Sequence, residues 1–273
     1  MAPPGLGVLN VNKPGGITSF DVVRKVRRAS GIKRVGHAGT LDPLATGVLL
    51  VCLGQATRII SYLQEAPKVY LAGLRLGQRT TTYDAEGALT EELPVPERLE
   101  LDHFVGDVWQ TPPVYSALKR EGRRLYDYAR KGQEVELQPR LVHIERIELA
   151  SWEPPRASLR VWCSKGTYIR SLANDLGGHL TSLVREAVGS FSVDQAIGLE
   201  QLDAWENYLM PIAAALPHLP RLAVEPAQAD RLRNGLPVDG PAGEAIALDG
   251  CNEAVALLRD GRPHIVFSAT GAS

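Results

Sequence analysis

The run Gly36-His-Ala-Gly-Thr-Leu-Asp42-Pro43 is the densest group of polar and conformationally specialised residues in the chain. The proline disfavours the α region at Asp42, and the glycines permit close backbone turns, so such a loop can hold a carboxylate in a fixed direction. An ionised aspartate held this way can act as a nucleophile; an isolated Asp-Pro pair would more simply cap a turn. Three distant positions offer partners. Tyr70 supplies an aromatic hydroxyl in a predicted strand, Arg170 follows a glycine in Cys163-Ser-Lys-Gly-Thr-Tyr-Ile-Arg170, and Asp84 follows a threonine-rich turn. Each also has a plainer reading: core packing for Tyr70, a surface guanidinium for Arg170, a loop cap for Asp84. Periodicity alone cannot bring them together.

The sequence has no Rossmann or Walker pattern that would recruit these glycines to a nucleotide cofactor. Six scattered histidines (His37, His103, His143, His179, His218 and His264) form no local ligand motif, so a metal-free, cofactor-free protein is expected. Cys52, Cys163 and Cys251 lie in or beside apolar stretches and form no close pair, which predicts free thiols.

The elements that must position these residues follow from pattern. Residues 8–11 are an apolar segment ended by the turn Asn12-Lys-Pro-Gly-Gly16. Thr18 or Ser19 caps a helix with Phe20, Val23 and Val26 at helical spacing, and Gly31 ends it. A buried strand is predicted over 48–53, a helix around 56–63, and a strand over 68–76 with Tyr70, Ala72, Leu74 and Leu76 on one face. Residues 77–94 read as a long loop or hairpin, 97–105 as a helix, 111–119 as irregular and 123–130 as a helix. Strands follow over 141–150 and 158–163, then a helix over 168–176 with Ile169, Leu172, Ala173 and Leu176 on one face. Leu216-Pro-His-Leu-Pro220 is the expected linker, dividing 1–215 from 216–273. The second part, with a helix at 224–233 and strands at 244–249, 253–259 and 263–267, is small and mostly β. The fold class is α+β.

At 273 residues, 44% apolar and 22% charged, the chain can bury a substantial core. Its net charge of −1 conceals an asymmetry: residues 1–70 hold nine Lys or Arg against three Asp or Glu (9 − 3 = +6), and residues 200–273 hold five against ten (5 − 10 = −5). A polyanion responds to the local field, so a basic face is compatible with the total. Lys25, Arg27, Arg28, Lys33 and Arg34 make one candidate patch; Lys119, Arg120, Arg123 and Arg124 make another. The longest apolar run, 48–53, is too short to span a membrane, and the N-terminus lacks a secretory pattern, so cytoplasmic localisation is expected.

The segment 36–47, continued through Ala45-Thr46-Gly47, closely resembles the nucleophile motif of the TruB-type bacterial tRNA pseudouridine-55 synthase family. The resemblance extends through Asn12-Lys-Pro-Gly-Gly-Ile-Thr-Ser19, Leu76-Gly-Gln-Arg-Thr80, Tyr115-Ser-Ala-Leu-Lys119 and the 163–170 motif, over about 200 residues in similar order and spacing. It implies a pseudouridine synthase catalytic fold with a central mixed, mainly antiparallel sheet, followed by a reduced, PUA-like RNA-binding domain. It implies Asp42 as the catalytic aspartate, Tyr70 as the active-site tyrosine and Arg170 as the arginine that pairs with Asp42 and favours its charge. His37 then helps organise the RNA around an extruded uridine, and Lys13 supports that neighbourhood; from the second basic patch, Lys119, Arg123 and Arg124 are the expected RNA contacts. Asp84 stays outside the catalytic set. The implied reaction breaks the uracil N1–C1′ bond of uridine 55 in the T arm of tRNA, rotates the retained base and forms a C5–C1′ bond. The expected partner is tRNA, without DNA, membrane or an obligatory protein partner, and the expected state is a monomer. Two positions depart from the pattern: Thr81, where many relatives carry an acid, and Glu186, which interrupts a more basic stretch. The competing reading is an RNA-binding or RNA-folding protein without robust catalysis; a uridine-specific glycosidase is an enzymatic alternative.

Overall fold

The uninterrupted apolar run 48–53 leaves no polar face to solvate, and each of its residues is completely buried. It belongs to a strand that passes through both units of the protein. The computed structural model describes residues 7–113, 119–120, 123–124 and 138–268. One unit comprises 1–41, 49–64 and 194–273, and the other 42–48 and 65–193.

The first unit begins with β1 (Gly7–Lys13), α1 (Ser19–Ser30), β2 (Val35–His37) and the 49–53 part of β3 (Thr46–Leu53). The Thr18 side chain accepts the Asp21 N–H while the Asp21 carboxylate accepts the Thr18 N–H, and Gly31 closes α1 at φ 70. The buried face of α1 is Ser19, Val22, Val23 and Val26, and the three valines pack with Leu9, Val11, Leu49 and Val51. Phe20, expected on that face, is 58% exposed. The i, i+3, i+4, i+7 spacing from Ser19 excludes it. β2 pairs antiparallel with β3, placing His37 opposite Val51. The helix expected at 56–63 is a 3-10 segment, Gly54–Ile59, running into α2 (Ile60–Glu65).

The second unit contains β4 (Lys68–Leu76), the hairpin β5 (Gln78–Thr80) and β6 (Leu89–Glu92), β7 (Gly106–Gln110), the short pair β8 (Lys119–Arg120) and β9 (Arg123–Arg124), β10 (Arg140–Glu153), β11 (Arg156–Cys163), α3 (Ile169–Asp175), β12 (Gly178–Val188) and β13 (Phe191–Ser192). β12, β4, β11, β10 and β7 lie side by side, and each of these pairs is antiparallel. The 46–47 end of β3 joins β12 in parallel, which makes the central sheet mixed but mainly antiparallel. On β4, Ala72, Leu74 and Leu76 are buried and Arg75 is exposed, the alternation predicted for a half-buried strand. The helix expected over 97–105 is reduced to a 3-10 turn at Asp102–Phe104. Pro94 and Pro96 stiffen its approach, and although Leu101, Phe104 and Val105 share a helical face, none of them is buried, so nothing covers that face to hold a helix. Of the helix expected over 123–130, Arg123 and Arg124 are extended and the rest lies outside the described residues, as do 115–118.

The C-terminal part of the first unit adds α4 (Ile212–Ala215), β14 (Arg221–Ala223), α5 (Pro226–Arg233), β15 (Glu244–Leu248), β16 (Ala254–Arg259) and β17 (Arg262–Val266). These strands form a separate four-stranded sheet in the order β14-β15-β16-β17. Its core is Val224, Ala229, Leu232, Ala245, Val255 and Leu258. No helix among the described residues is long and apolar enough to cross a membrane.

Candidate active site

The Asp42 loop is fixed residue by residue. Ser19, at the start of α1, donates its hydroxyl to the Leu41 carbonyl (3.1 Å) and accepts the Leu41 N–H (2.8 Å), which immobilises the residue before Asp42. After it, the Ala45 N–H closes a turn onto the Asp42 carbonyl at 3.1 Å. Gly47 then has φ 99, and a Cβ there would lie 2.3 Å from the Arg185 carbonyl oxygen. Only glycine permits that approach of β3 to β12.

Arg170 meets Asp42 from α3. The helix has no side-chain cap at Tyr168. Gln110 at the end of β7 anchors that residue instead: its amide donates to the Tyr168 carbonyl (3.3 Å) and accepts the Tyr168 N–H (3.0 Å). One residue after Arg170, the Ser171 hydroxyl donates to the Thr111 carbonyl at 2.7 Å. So placed, the Arg170 side chain is 5% exposed, and its Nε lies 2.9 Å from Oδ2 of Asp42, whose own side chain is 35% exposed. The cation is buried and the carboxylate it serves is open. Nη1 donates to the Thr82 carbonyl (3.1 Å) and lies 3.5 Å from Oδ2 of Asp84.

Asp84 is the member of the site that the sequence reading left out. It is buried, its Oδ1 accepts the Thr82 hydroxyl and the Glu86 N–H, and its carbonyl accepts the Thr80 hydroxyl. The loop-cap reading of Asp84 is therefore correct as far as it goes. What it misses is the second carboxylate oxygen, turned inward to a guanidinium 86 residues away in the chain. The available signal was the threonine-rich turn itself, which can orient an aspartate inward as easily as outward.

Tyr70 lies on the inner side of β4, opposite Val161 of β11 and Arg185 of β12. Burial pushes its phenol above the ordinary value; Arg185 draws it back by charge and by a side-chain hydrogen bond, while Cys163 and Asp42 push it further up. Two residues earlier, buried Lys68 has its ammonium lowered to about 8, first by loss of solvation and then by the charge of Arg185. Burial raises the Cys163 thiol to about 11 and the Cys52 thiol to about 12, which keeps both protonated near neutrality and unsuited to act as nucleophiles.

Asp42, Tyr70 and Arg170 thus share one neighbourhood in the second unit. His37 and Lys13 belong to the first. His37 is partly buried on β2. Lys13 is completely buried, and its ammonium donates to the Pro14 and Ile17 carbonyls at 2.9 and 2.7 Å. This places Lys13 inside the 12–17 turn, where it orders backbone and presents no charge at the surface. Lys119, Arg123 and Arg124 sit on the paired strands β8 and β9, with Lys119 opposite Arg124. Of the two departures, Glu186 forms a two-point pair with Arg160 (2.8 and 3.1 Å), and Thr81 closes the β5–β6 hairpin through bonds to Ala88.

A half-open carboxylate backed by a buried guanidinium, beside a partly buried phenol, suits attack on an electrophilic carbon with a nearby group for proton transfer. The family model described as "TruB family pseudouridylate synthase (N terminal domain)" matches residues 27–169. Among curated proteins, the tRNA pseudouridine synthase B of Clostridium kluyveri is 46% identical over 246 residues, 85% of this chain and 85% of its own length. That of Dehalococcoides mccartyi strain BAV1 is 45% identical over 277 residues, 93% of this chain and 92% of its own. Among solved structures, the crystal structure of a Cbf5-Nop10-Gar1 complex contains a chain with TM-score 0.70 and 25% identity, covering 97% of this chain and 84% of that one. The chain belongs to the TruB family of pseudouridylate synthases.

Proposed function

We propose that the protein converts uridine 55 of the tRNA T arm to pseudouridine, with Asp42 as nucleophile, and acts as a cytoplasmic monomer without an obligatory protein partner. The observation that carries this reading is the Arg170 bridge, 2.9 Å from a carboxylate that remains open to a substrate. The target base leaves its stack to reach an enclosed site. Asp42 promotes cleavage of the N1–C1′ bond, the uracil turns within the site, and C5 bonds to C1′. C5 then loses its proton and N1 carries one, so atoms balance with no external reactant. Tyr70 packs on the base and takes part in moving those protons. Within this reading, 1–215 carries catalysis and 216–273 is a reduced PUA-like RNA-binding domain. His37, Lys119, Arg123 and Arg124 contact RNA, and Lys13 acts through the turn it orders.

The test incubates the purified protein with an unmodified T-arm hairpin and detects pseudouridine by chemical labelling. Asp42→Asn should still bind the hairpin while its turnover falls by about 10³-fold or more. Equal product from this variant would remove Asp42 from the chemistry. Release of free uracil would identify a glycosidase, and binding by the unaltered protein with neither product would identify a non-catalytic RNA binder.

A further inference from the structure

Arg185 is the largest fully buried side chain among the described residues, 1% exposed, and the sequence reading passed over it for its neighbour Glu186. Burying a guanidinium is costly unless its donors are used, so the identity of its acceptors is informative. On β12 it lies opposite Tyr70 of β4 in one register and opposite Gly47 of β3 in the other. Its Nε donates to the Val48 carbonyl at 2.7 Å, and as the residue paired directly with Tyr70 across the antiparallel strands it shares that residue's face of the sheet, where its charge favours the ionised phenol. A guanidinium has no acceptor, so toward Arg185 the phenol oxygen can only accept. The phenol's own proton is then directed away from Arg185.

We propose that Arg185 is a positioning residue for the reaction: it fixes the Tyr70 hydroxyl with its proton turned toward the substrate base, and through Val48 it ties that setting to the strand that follows the Asp42 loop. The proposal deepens the pseudouridine synthase reading and rests on it for the identity of the base. The charged and titratable groups around Tyr70 are Arg185 from β12, Cys163 from β11, Asp42 from its loop and Lys68 on β4 itself. Burial, Cys163 and Asp42 all oppose ionisation of the phenol, whereas Arg185 favours it. Arg185 therefore both aims the hydroxyl and keeps its proton transferable.

The experiment places 3-fluorotyrosine at position 70 and follows its titration by fluorine NMR without RNA, in the unaltered protein and in Arg185→Met and Arg185→Lys. In parallel, single-turnover pseudouridine formation and hairpin affinity are measured on the same variants with ordinary tyrosine. Removing the guanidinium in Arg185→Met should move the titration upward by about one pH unit or more. It should also lower the single-turnover rate by about tenfold or more, with hairpin affinity kept within about twofold. Arg185→Lys keeps the charge without the planar fork and should fall between the two. A folded Arg185→Met protein with an unmoved titration overturns the proposal, and so does a loss of affinity as large as the loss of rate. If Arg185→Met does not fold, Arg185→Lys decides alone: an unchanged titration and rate overturn the proposal, and an upward shift with a slower rate supports it. Should the unaltered protein make no pseudouridine, the functional reading fails, yet the fluorine titration still judges the Arg185–Tyr70 pairing.

Discussion

Arg170 spreads its planar donors over two carboxylates, Nε to Asp42 and Nη1 to Asp84, and so couples an open anion to a buried one. Asp84→Asn keeps the turn bonds from Thr82 and Glu86 but removes the buried counter-charge. The expected result is a loss of about 2 kcal/mol in urea unfolding together with slower turnover, and an unchanged denaturation midpoint would contradict the coupling. Lys68 gives a second outcome at this scale. Its ammonium titrates at about 8 in the folded protein against an ordinary value of 10.5. Between those values the unfolded chain holds a proton that the folded chain has released, so stability rises with pH across that window. Denaturation of the unaltered protein and of Lys68→Met, compared from pH 7.5 to about 10.5, should show the unaltered protein gaining relative to the variant. A constant difference would mean that Lys68 is not depressed.

At the scale of elements, the site depends on where α1 and β3 begin. The first residue of α1, Ser19, is buried and makes two hydrogen bonds to Leu41, so the helix start also serves as the clamp on the residue before Asp42. Ser19→Ala leaves both Leu41 groups without that partner, at a cost of about 1–3 kcal/mol. Because the clamp orients Asp42, single-turnover rate should fall more than hairpin affinity. Equal losses in both would assign Ser19 to folding alone. Gly47→Ala tests the other end of the loop. It places a methyl 2.3 Å from the Arg185 carbonyl at a φ that side chains avoid, and thermal unfolding should register a loss of about 3 kcal/mol or more.

For the whole molecule, charge distribution matters more than total charge. The +6 of residues 1–70 and the −5 of residues 200–273 nearly cancel in sum, so the total conceals the local field that a polyanion would meet. Hairpin affinity should fall as salt rises, and replacing Arg27 and Arg28 by Gln should weaken binding and flatten that dependence. The same substitution at Glu225 and Asp239 should leave the slope in place. If the two pairs behave alike, the basic stretch is a solvated helix face rather than an RNA contact.

Short-range physics was legible in the chain from the start. Apolar runs and alternation marked β3, β4, β10 and β11, Thr18 or Ser19 and Gly31 marked the ends of α1, and the glycines and Pro43 marked the loop that holds Asp42. Local reading failed where helical spacing had more than one phase, as at Phe20, or where no surface existed to bury a face, as at 97–105. It also failed for Asp84 and Arg185, for a different reason. Asp84 reads as a turn cap, and Arg185 as one charge in a polar stretch, until the second unit folds. Their assignment depends on pairing across 86 residues to Arg170 in one case, and on two strand registers in the other. The sequence by itself determined α1, β3, β4, β10, β11 and the loop that carries Asp42, but gave no sign of β7 or of the central strand β12. Only tertiary structure decided which buried charges stand behind it, because burial and strand register, which select partners for a charge, are properties of the assembled sheet.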